Sequence, residues 1–364
     1  MSGRIILFGA TGYTGRLTAE ASVARGDRPV LAARTRDKVE ALAAELGGLE
    51  TAVADVSDPA SVRALLEPGD VIVATVGPFV RWGDVAAEAA IAAGARYLDS
   101  TGEPAFIRRV FERFGPEAER SGAALVTAFG YDWVPGNLAG ALALREAGGA
   151  ATRVDIGYFA TGGLGGMSGG TRASAAGAML EPSFVWRDGI RTERAAARVR
   201  EFELDGRSKP GISVGSSEHF TLPRIHPGLQ EVNTYLGWFG SRSRPMAALS
   251  AFNAGITRIP GVKAGMNALI GRAVKTSTGG PDTEARAATG SEIVAIAYGP
   301  GGEELSRVEV RGVNGYTFTG AALAWGAATA AAGGIEKPGA LGPAEAFGLD
   351  VLEAGCAEAG ITRV

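Results

Sequence analysis

The stretch Arg4-Ile5-Ile6-Leu7-Phe8-Gly9-Ala10-Thr11-Gly12-Tyr13-Thr14-Gly15 decides the fold. Residues 5–8 are an apolar run with strand character, and residues 16–25 have helical character. A strand that turns on glycines into a helix presents backbone N–H groups and a positive helix end to an anion. Dinucleotides place their pyrophosphate there. Gly9, Thr11, Gly12, Tyr13, Thr14 and Gly15 are therefore candidate cofactor contacts. With 55 glycines in the chain such spacing also arises by chance, so the surroundings must carry the reading.

They do. Apolar runs at 5–8, 29–33, 51–54, 71–75, 96–98 and 124–127 alternate with helical patterns at 16–25, 37–46, 59–66, 84–93 and 105–120. Ser57 or Asp58 can cap the helix that opens on Pro59. Regular alternation implies parallel strands joined by right-handed crossovers, and six strands fit a doubly wound, Rossmann-type sheet. Beyond Tyr131 the pattern changes. A helical stretch at 137–144 leads to strand-like segments at 153–159, 218–222, 231–236, 292–298 and 307–311, interrupted by helical patterns at 172–180 and 246–253. This predicts an α+β domain with a largely antiparallel sheet. The expected division is 1–132 for the Rossmann domain and 133–320 for a substrate and dimerisation domain. Residues 321–364 are expected as C-terminal helices packed back on the first domain. Residues 313–335 read as a buried strand followed by a small-residue helix, too weakly apolar for a membrane span.

Bulk properties exclude several classes. The 364 residues carry a net charge of −3 and are 46% hydrophobic, which is ordinary for a globular chain and unlike a nucleic-acid binder. One cysteine, Cys356, rules out an internal disulfide framework and fits a reducing cytoplasm. Two histidines and one cysteine make no typical zinc site, so no metal is expected. No secretory leader is expected, since the run before Gly9 is too short for its apolar core. A homodimer is expected on general grounds.

The end of the second expected strand selects the nucleotide. NAD sites usually place an acid there for the ribose 2′-OH. Residues 29–33 carry none and lead into Arg34-Thr35-Arg36. Guanidinium groups suit a 2′-phosphate, so NADP(H) is expected. Asp55 and Val56 are candidates to flank the adenine. Thr75, Val76, Gly77 and Pro78 end the fourth strand at the cofactor crevice.

Hydride transfer to a C=N or conjugated C=C bond also needs a proton or an oxyanion donor. Asp99 and Glu103 follow the fifth strand; Tyr131 and Asp132 follow the sixth. Tyr131 is the expected proton donor, with Asp132 orienting it or the substrate; Asp132 as a helix cap is the competing reading. Glu103, Trp133, Ser168, Thr171 and Arg172 are candidate substrate contacts. The last three lie where glycines precede a helical pattern and Arg172 adds charge for a carboxylate or thioester oxygen. His226, at an expected strand end, and Tyr316 and Thr317, in an expected strand, read as structural. No tyrosine has lysine four positions later, which excludes the Tyr/Lys device of short-chain dehydrogenases.

The chain resembles the saccharopine dehydrogenase-like oxidoreductases along nearly its full length. The matching segments are 9–15, Thr75-Val76-Gly77-Pro78-Phe79, Tyr97-Leu98-Asp99-Ser100-Thr101-Gly102-Glu103 and Phe129-Gly130-Tyr131-Asp132-Trp133-Val134-Pro135. Ser168-Gly169-Gly170-Thr171 and Gly315-Tyr316-Thr317-Phe318-Thr319 complete them. The resemblance implies an N-terminal NADP-binding domain and a C-terminal α+β domain. It also implies reduction of an imine or an enoyl group on a small or carrier-bound metabolite. Relatives often read Gly-Phe-Asp-Ser-Val-Pro where this chain has Gly130-Tyr131-Asp132-Trp133-Val134-Pro135, so Tyr131 and Trp133 make a bulkier turn. No arginine cluster is present for the two carboxylates of saccharopine itself. The alternative from another class is a protein that senses NADP(H) without turning it over.

Overall fold

The computed structural model describes residues 3–162, 182–238, 240–256 and 279–364. The chain divides into two compact units. The first runs to Gly102, resumes at Phe106–Val134 and takes in Gly315–Gly360; the second holds Glu103–Ala105, Pro135–Asn314 and Ile361–Val364.

The first unit opens with strands β1 (Ile5–Phe8), β2 (Val30–Ala33), β3 (Thr51–Val53), β4 (Val71–Ala74), β5 (Arg96–Asp99) and β6 (Ala124–Val126). Every residue of β2, β4 and β6 is buried, as continuous apolar strands covered on both faces must be. Between them run α1 (Tyr13–Ala24), α2 (Arg36–Glu45), α3 (Pro59–Arg63), α4 (Phe79–Ala93) and α5 (Pro104–Arg109). A π-helical turn (Val110–Phe114) and α6 (Gly115–Ser121) complete the series. Asp58 caps α3 through Ala60 N, 3.2 Å away, with Pro59 at the first position. Helix α4 starts five residues earlier than the sequence suggests. Pro78 sits at the N-cap, and Phe79–Trp82 form the first turn.

Helix α7 (Val134–Ala147) carries the chain into the second unit. Its strands are β7 (Arg153–Thr161), β8 (Ser183–Arg187), β9 (Ile190–Glu193), β10 (Val199–Leu204), β11 (Arg207–Ser213), β12 (Glu231–Leu236), β13 (Gly290–Tyr298) and β14 (Glu304–Val313). Between them lie α8 (Glu218–Ile225), α9 (Ser243–Ile256) and α10 (Thr283–Ala287). The sheet order is β10-β11-β12-β7-β13-β14, and only the β12–β7 pairing is parallel. The sheet curls, because Phe202 of β10 meets both Phe159 of β7 and Tyr235 of β12 at 5.6 Å. Val294, Ile296 and Tyr298 complete that core. Buried charges inside it are paired: Asp155 with Arg200 and Asn233, Glu292 with Lys209 and Arg311.

Residues 218–222 are helix, not the expected strand. Their alternation is misleading because the first turns of α8 are buried on all sides, so the apolar period of an amphipathic helix is missing. His226 accordingly ends a helix, not a strand, and its Nε2 lies 3.0 Å from Ala151 O.

The chain returns to the first unit through α11 (Gly315–Ala331), β15 (Gly339–Ala340), α12 (Pro343–Phe347) and α13 (Leu349–Glu358). Strand β16 (Ile361–Arg363) then joins β14. Helix α11 begins immediately after β14, so Tyr316 and Thr317 lie in its first turn and not in a strand. Strand β15 is a seventh parallel strand beside β6, giving the order β15-β6-β5-β4-β1-β2-β3. Six strands were expected; a two-residue strand has no periodicity to detect.

Helix α11 can seat deeply because Gly and Ala supply much of its buried surface, with Gly320 and Gly326 at the closest approaches. A Cβ at Gly326 would lie 2.4 Å from Phe129 Cε1 and 2.9 Å from Leu98 Cδ2. Phe129 is held in place, since Trp325 stacks on it at 6.3 Å and Phe347 packs against it at a tilt, 5.4 Å away. Gly326→Val should therefore destabilise the protein by about 1–3 kcal/mol, the usual cost of overpacking. A thermal melt unchanged from the parent would show that this seating is not tight.

Candidate functional site

The site is built at the carboxyl ends of the parallel strands. The order β3-β2-β1-β4-β5-β6 reverses direction between β1 and β4, and ligands of such sheets bind at that switch point. Gly9 leaves β1 with φ +92°, a conformation that side chains resist. A Cβ there would lie 2.7 Å from Thr75 Oγ1 and 2.8 Å from Val76 Cγ2. Thr75 in turn donates its hydroxyl to Phe8 O at 3.1 Å and Gly9 O at 3.2 Å, locking the ends of β1 and β4 together. Gly12 is the N-cap of α1, and its N–H donates to Gly9 O at 2.9 Å. A Cβ at Gly15 would stand 2.2 Å from the same carbonyl oxygen. The three glycines thus bring the start of α1 hard against the end of β1. The first turn of a helix leaves amide N–H groups without intrahelical acceptors, and Thr11 and Gly12 are exposed in front of it. This cradle fits a pyrophosphate.

The neighbouring strand ends complete the crevice. Arg34, Thr35 and Arg36 are exposed at the start of α2. Arg36 pairs with Glu40 one turn on, at 3.3 Å. Arg34 makes no hydrogen bond or ion pair among the described residues, and its charge lies near Asp55. The Asp55 carboxylate accepts from Ser57 N and Ser57 Oγ, both at 2.8 Å. These bonds, with a smaller contribution from Arg34, hold it below the usual carboxylate range. Val56 is half-buried, as are Thr75, Val76 and Pro78, while Gly77 is exposed.

Beyond the switch point, the turn after β6 is fixed from two sides. Asp99, fully buried at the end of β5, accepts from Thr101 N at 2.8 Å, Ala128 N at 2.9 Å and Thr127 Oγ1 at 2.6 Å. Burial pushes its carboxyl upward despite these donors. Ala128, which it grips, holds a left-handed φ of +59°. From the other side Thr319 of α11 accepts from Tyr131 N at 3.0 Å and donates to Gly315 O at 2.7 Å. A Cβ at Gly130 would lie 2.8 Å from Thr319 Cγ2, and one at Gly315 would lie 2.9 Å from the Tyr131 ring. The N-terminus of α11 also meets that of α1, where Tyr316 and Tyr13 pack edge to face at 5.3 Å.

Asp132 projects from this turn. Its Oδ1 is buried and has no hydrogen-bond partner among the described residues. A Cβ at Gly102 would stand 2.8 Å from its Oδ2. Burial alone raises its pKa to about 7. Trp133, which follows, is buried, and its backbone N–H donates to Ala128 O at 2.9 Å.

The first unit therefore brings together the residues from 9–15, 34–36, 55–56, 75–78 and 131–133. Glu103 is buried and belongs to the second unit. Ser168, Thr171 and Arg172 lie outside the described residues. Sequence reasoning missed Gly102, Gly130, Gly315 and Thr319 as shapers of this site. The signal was available: three glycines and a short hydroxyl side chain, each inside a segment that resembles the family. Among the described residues, no cluster of His, Cys, Asp and Glu could hold a metal ion. None of their helices is long and apolar enough to cross a membrane.

Comparison with known proteins agrees with this geometry. A family model described as the saccharopine dehydrogenase NADP binding domain matches residues 5–127. A protein of Mycobacterium tuberculosis named as a candidate trans-acting enoyl reductase is 40% identical over 181 residues, 47% of this chain and 42% of its own length. The trans-acting enoyl reductase of Mycobacterium ulcerans is 36% identical over 140 residues, 37% of this chain and 34% of its own. The chain thus spans less than half the length of the curated relatives it matches. The saccharopine dehydrogenase (L-Glu forming) of Saccharomyces cerevisiae aligns over 100% of both chains with a TM-score of 0.58 and 14% identity, which shows a shared fold.

The Asp132 environment has a thermodynamic consequence. Its carboxyl ordinarily titrates near 3.8 and in the folded protein near 7. Between those values the folded state keeps a proton that the unfolded state has lost, so this group's contribution to stability falls as pH rises and levels off above about 7. Asp132→Asn removes that dependence. The melting temperature of the variant minus that of the parent should grow between pH 5 and pH 7 and stay constant from pH 7.5 to pH 9. For a chain of this size each kcal/mol corresponds to roughly 2–4 °C. A difference independent of pH would show that Asp132 titrates normally.

Proposed function

We propose that this chain, a member of the saccharopine dehydrogenase-like family through its NADP-binding domain at residues 5–127, is an NADPH-dependent reductase. Its acceptor is a conjugated C=C bond of an enoyl group on a small or carrier-bound metabolite. The observation that carries the reading is the glycine turn at the switch point, where Gly9 and Gly15 let α1 pack hard against the end of β1 and leave Thr11 and Gly12 exposed at the helix start. The exposed Arg34 at the end of β2, where an NAD site would place an acid, supports the phosphorylated nucleotide. The enoyl group is favoured because both mycobacterial relatives carry that activity in their names.

NADPH when bound supplies hydride. The chain's own residues supply position and charge. Gly9, Gly12 and Gly15 with the start of α1 would hold the pyrophosphate, and Arg34 with Arg36 the 2′-phosphate. Asp55 and Val56 would flank the adenine, and Thr75–Pro78 the ribose beyond it. Tyr131, Asp132 and Trp133 would face the reacting end. Placing hydride donor and acceptor in contact accounts for much of such a reaction; the remainder is a proton for the adjacent carbon.

Titration of the purified protein with NADPH and NADH, followed by nucleotide fluorescence, tests the reading. NADPH should bind more tightly, and Arg34→Ala should remove about 1.5–3 kcal/mol of that preference, the worth of a charge-assisted hydrogen bond. Binding of neither nucleotide by the parent protein would refute the proposal.

A further inference from the structure

The fold does not explain the placement of the Asp132 side chain. Asp99, also buried and at the next strand end, has three donors and organises the turn. Asp132 Oδ1 has none among the described residues, although its solvent is excluded. A carboxyl oxygen buried without a donor costs free energy, and asparagine or serine would serve a merely structural turn as well. The space around it is shaped for it: Gly102 leaves room for Oδ2 that any side chain would occupy. The raised proton affinity of Asp132 comes from burial, with no contribution from a neighbouring charge.

We propose that Asp132 is the general acid of the reduction, delivering its carboxyl proton to the α-carbon of the enoyl substrate. This rests on the reductase reading above. Hydride adds to the β-carbon of the α,β-unsaturated carbonyl, and the π electrons of the C=C bond pass toward the carbonyl oxygen. The resulting enolate takes the Asp132 proton at its α-carbon: one C–H bond forms, the O–H bond of the carboxyl breaks, and the carboxylate is left behind. Water reprotonates the carboxylate after product leaves. The elevated proton affinity given by burial keeps the acid form populated near neutrality. A tyrosine hydroxyl, ordinarily near 10, would hold its proton more tightly than this step requires. The proton donor is thereby assigned to Asp132 in place of Tyr131.

Infrared difference spectra of the nucleotide-free protein provide a readout independent of turnover. A protonated-carboxyl C=O band should be present at pH 6, fade with a midpoint of about 7 and be missing from Asp132→Asn. The same variant, assayed with NADPH and a crotonyl thioester, should bind NADPH as the parent does. Its kcat should fall roughly 10²- to 10⁴-fold, and the decline of the parent's kcat above neutrality should disappear. Absence of the band at pH 6, or parental kcat in Asp132→Asn, overturns the assignment. Failure of the parent protein to bind NADPH overturns the reductase reading instead, and the binding titration shows this before any variant is made.

Discussion

The approach of the α1 backbone to the Gly9 carbonyl is the constraint on which the first unit depends. At Gly15 the space left for a Cβ is 2.2 Å, less than any side chain tolerates. That contact sets the angle at which α1 leaves β1, and therefore where its N-terminus points. Helix α11 is then set against α1 by the same means, since a Cβ at Gly320 would meet the Leu17 backbone at 3.0 Å. Gly326 seats α11 over Phe129, and Gly130 seats the turn after β6 against Thr319. Glycine-mediated contacts thus run from the strand end through two helices to Asp132. Alanine at any of these positions would preserve secondary structure and lose the approach.

Charge follows from that packing. Two helices, of 12 and 17 residues, begin side by side at the Tyr13–Tyr316 contact. Each adds partial positive charge at its N-terminus, an effect confined to the first turn. The acids of the same region are treated differently. Asp55 is spent on Ser57, Asp99 on the turn after β6. Arg34 stands exposed at the end of β2 and pairs with no side chain among the described residues, which places a cation beside the crevice although the whole chain carries −3.

The first unit was legible because its strands are short, continuous apolar runs bounded by turn residues; β1 runs from Ile5 to Phe8 as read from the sequence. The second unit was less so. Hairpins β8–β9 and β10–β11 turn on Asp188-Gly189 and Asp205-Gly206, both with positive φ. That dipeptide is a strong hairpin signal, yet the strands around it are rich in Arg and Glu and carry no clear apolar period. Helix α11 was mistaken at its start because Tyr316, Thr317 and Phe318 favour strands, and burial on nearly every side erased the amphipathic pattern. Nucleotide-site residues could be read individually because each answers to backbone geometry. Gly102 and Thr319 lie in segments that resemble the family, but their roles arise only where distant segments meet: Gly102 against Asp132, and Thr319 against Gly130 and Tyr131.

Asp132 shows why that distinction matters for function. A sequence that specifies one structure tends to satisfy local rules everywhere, and departures gather where something other than stability is selected. Asp99 obeys the rule that buried polar groups find partners. Asp132 breaks it four residues beyond Ala128, the residue Asp99 grips, in a turn already held by Thr319 and contacted by Gly102. A carboxyl there adds nothing to the turn's hydrogen bonding through Oδ1 and lowers stability as pH rises toward neutrality. The acid role proposed above gives such a departure a reason: a buried carboxyl that keeps its proton near neutrality is what the reduction needs in addition to hydride.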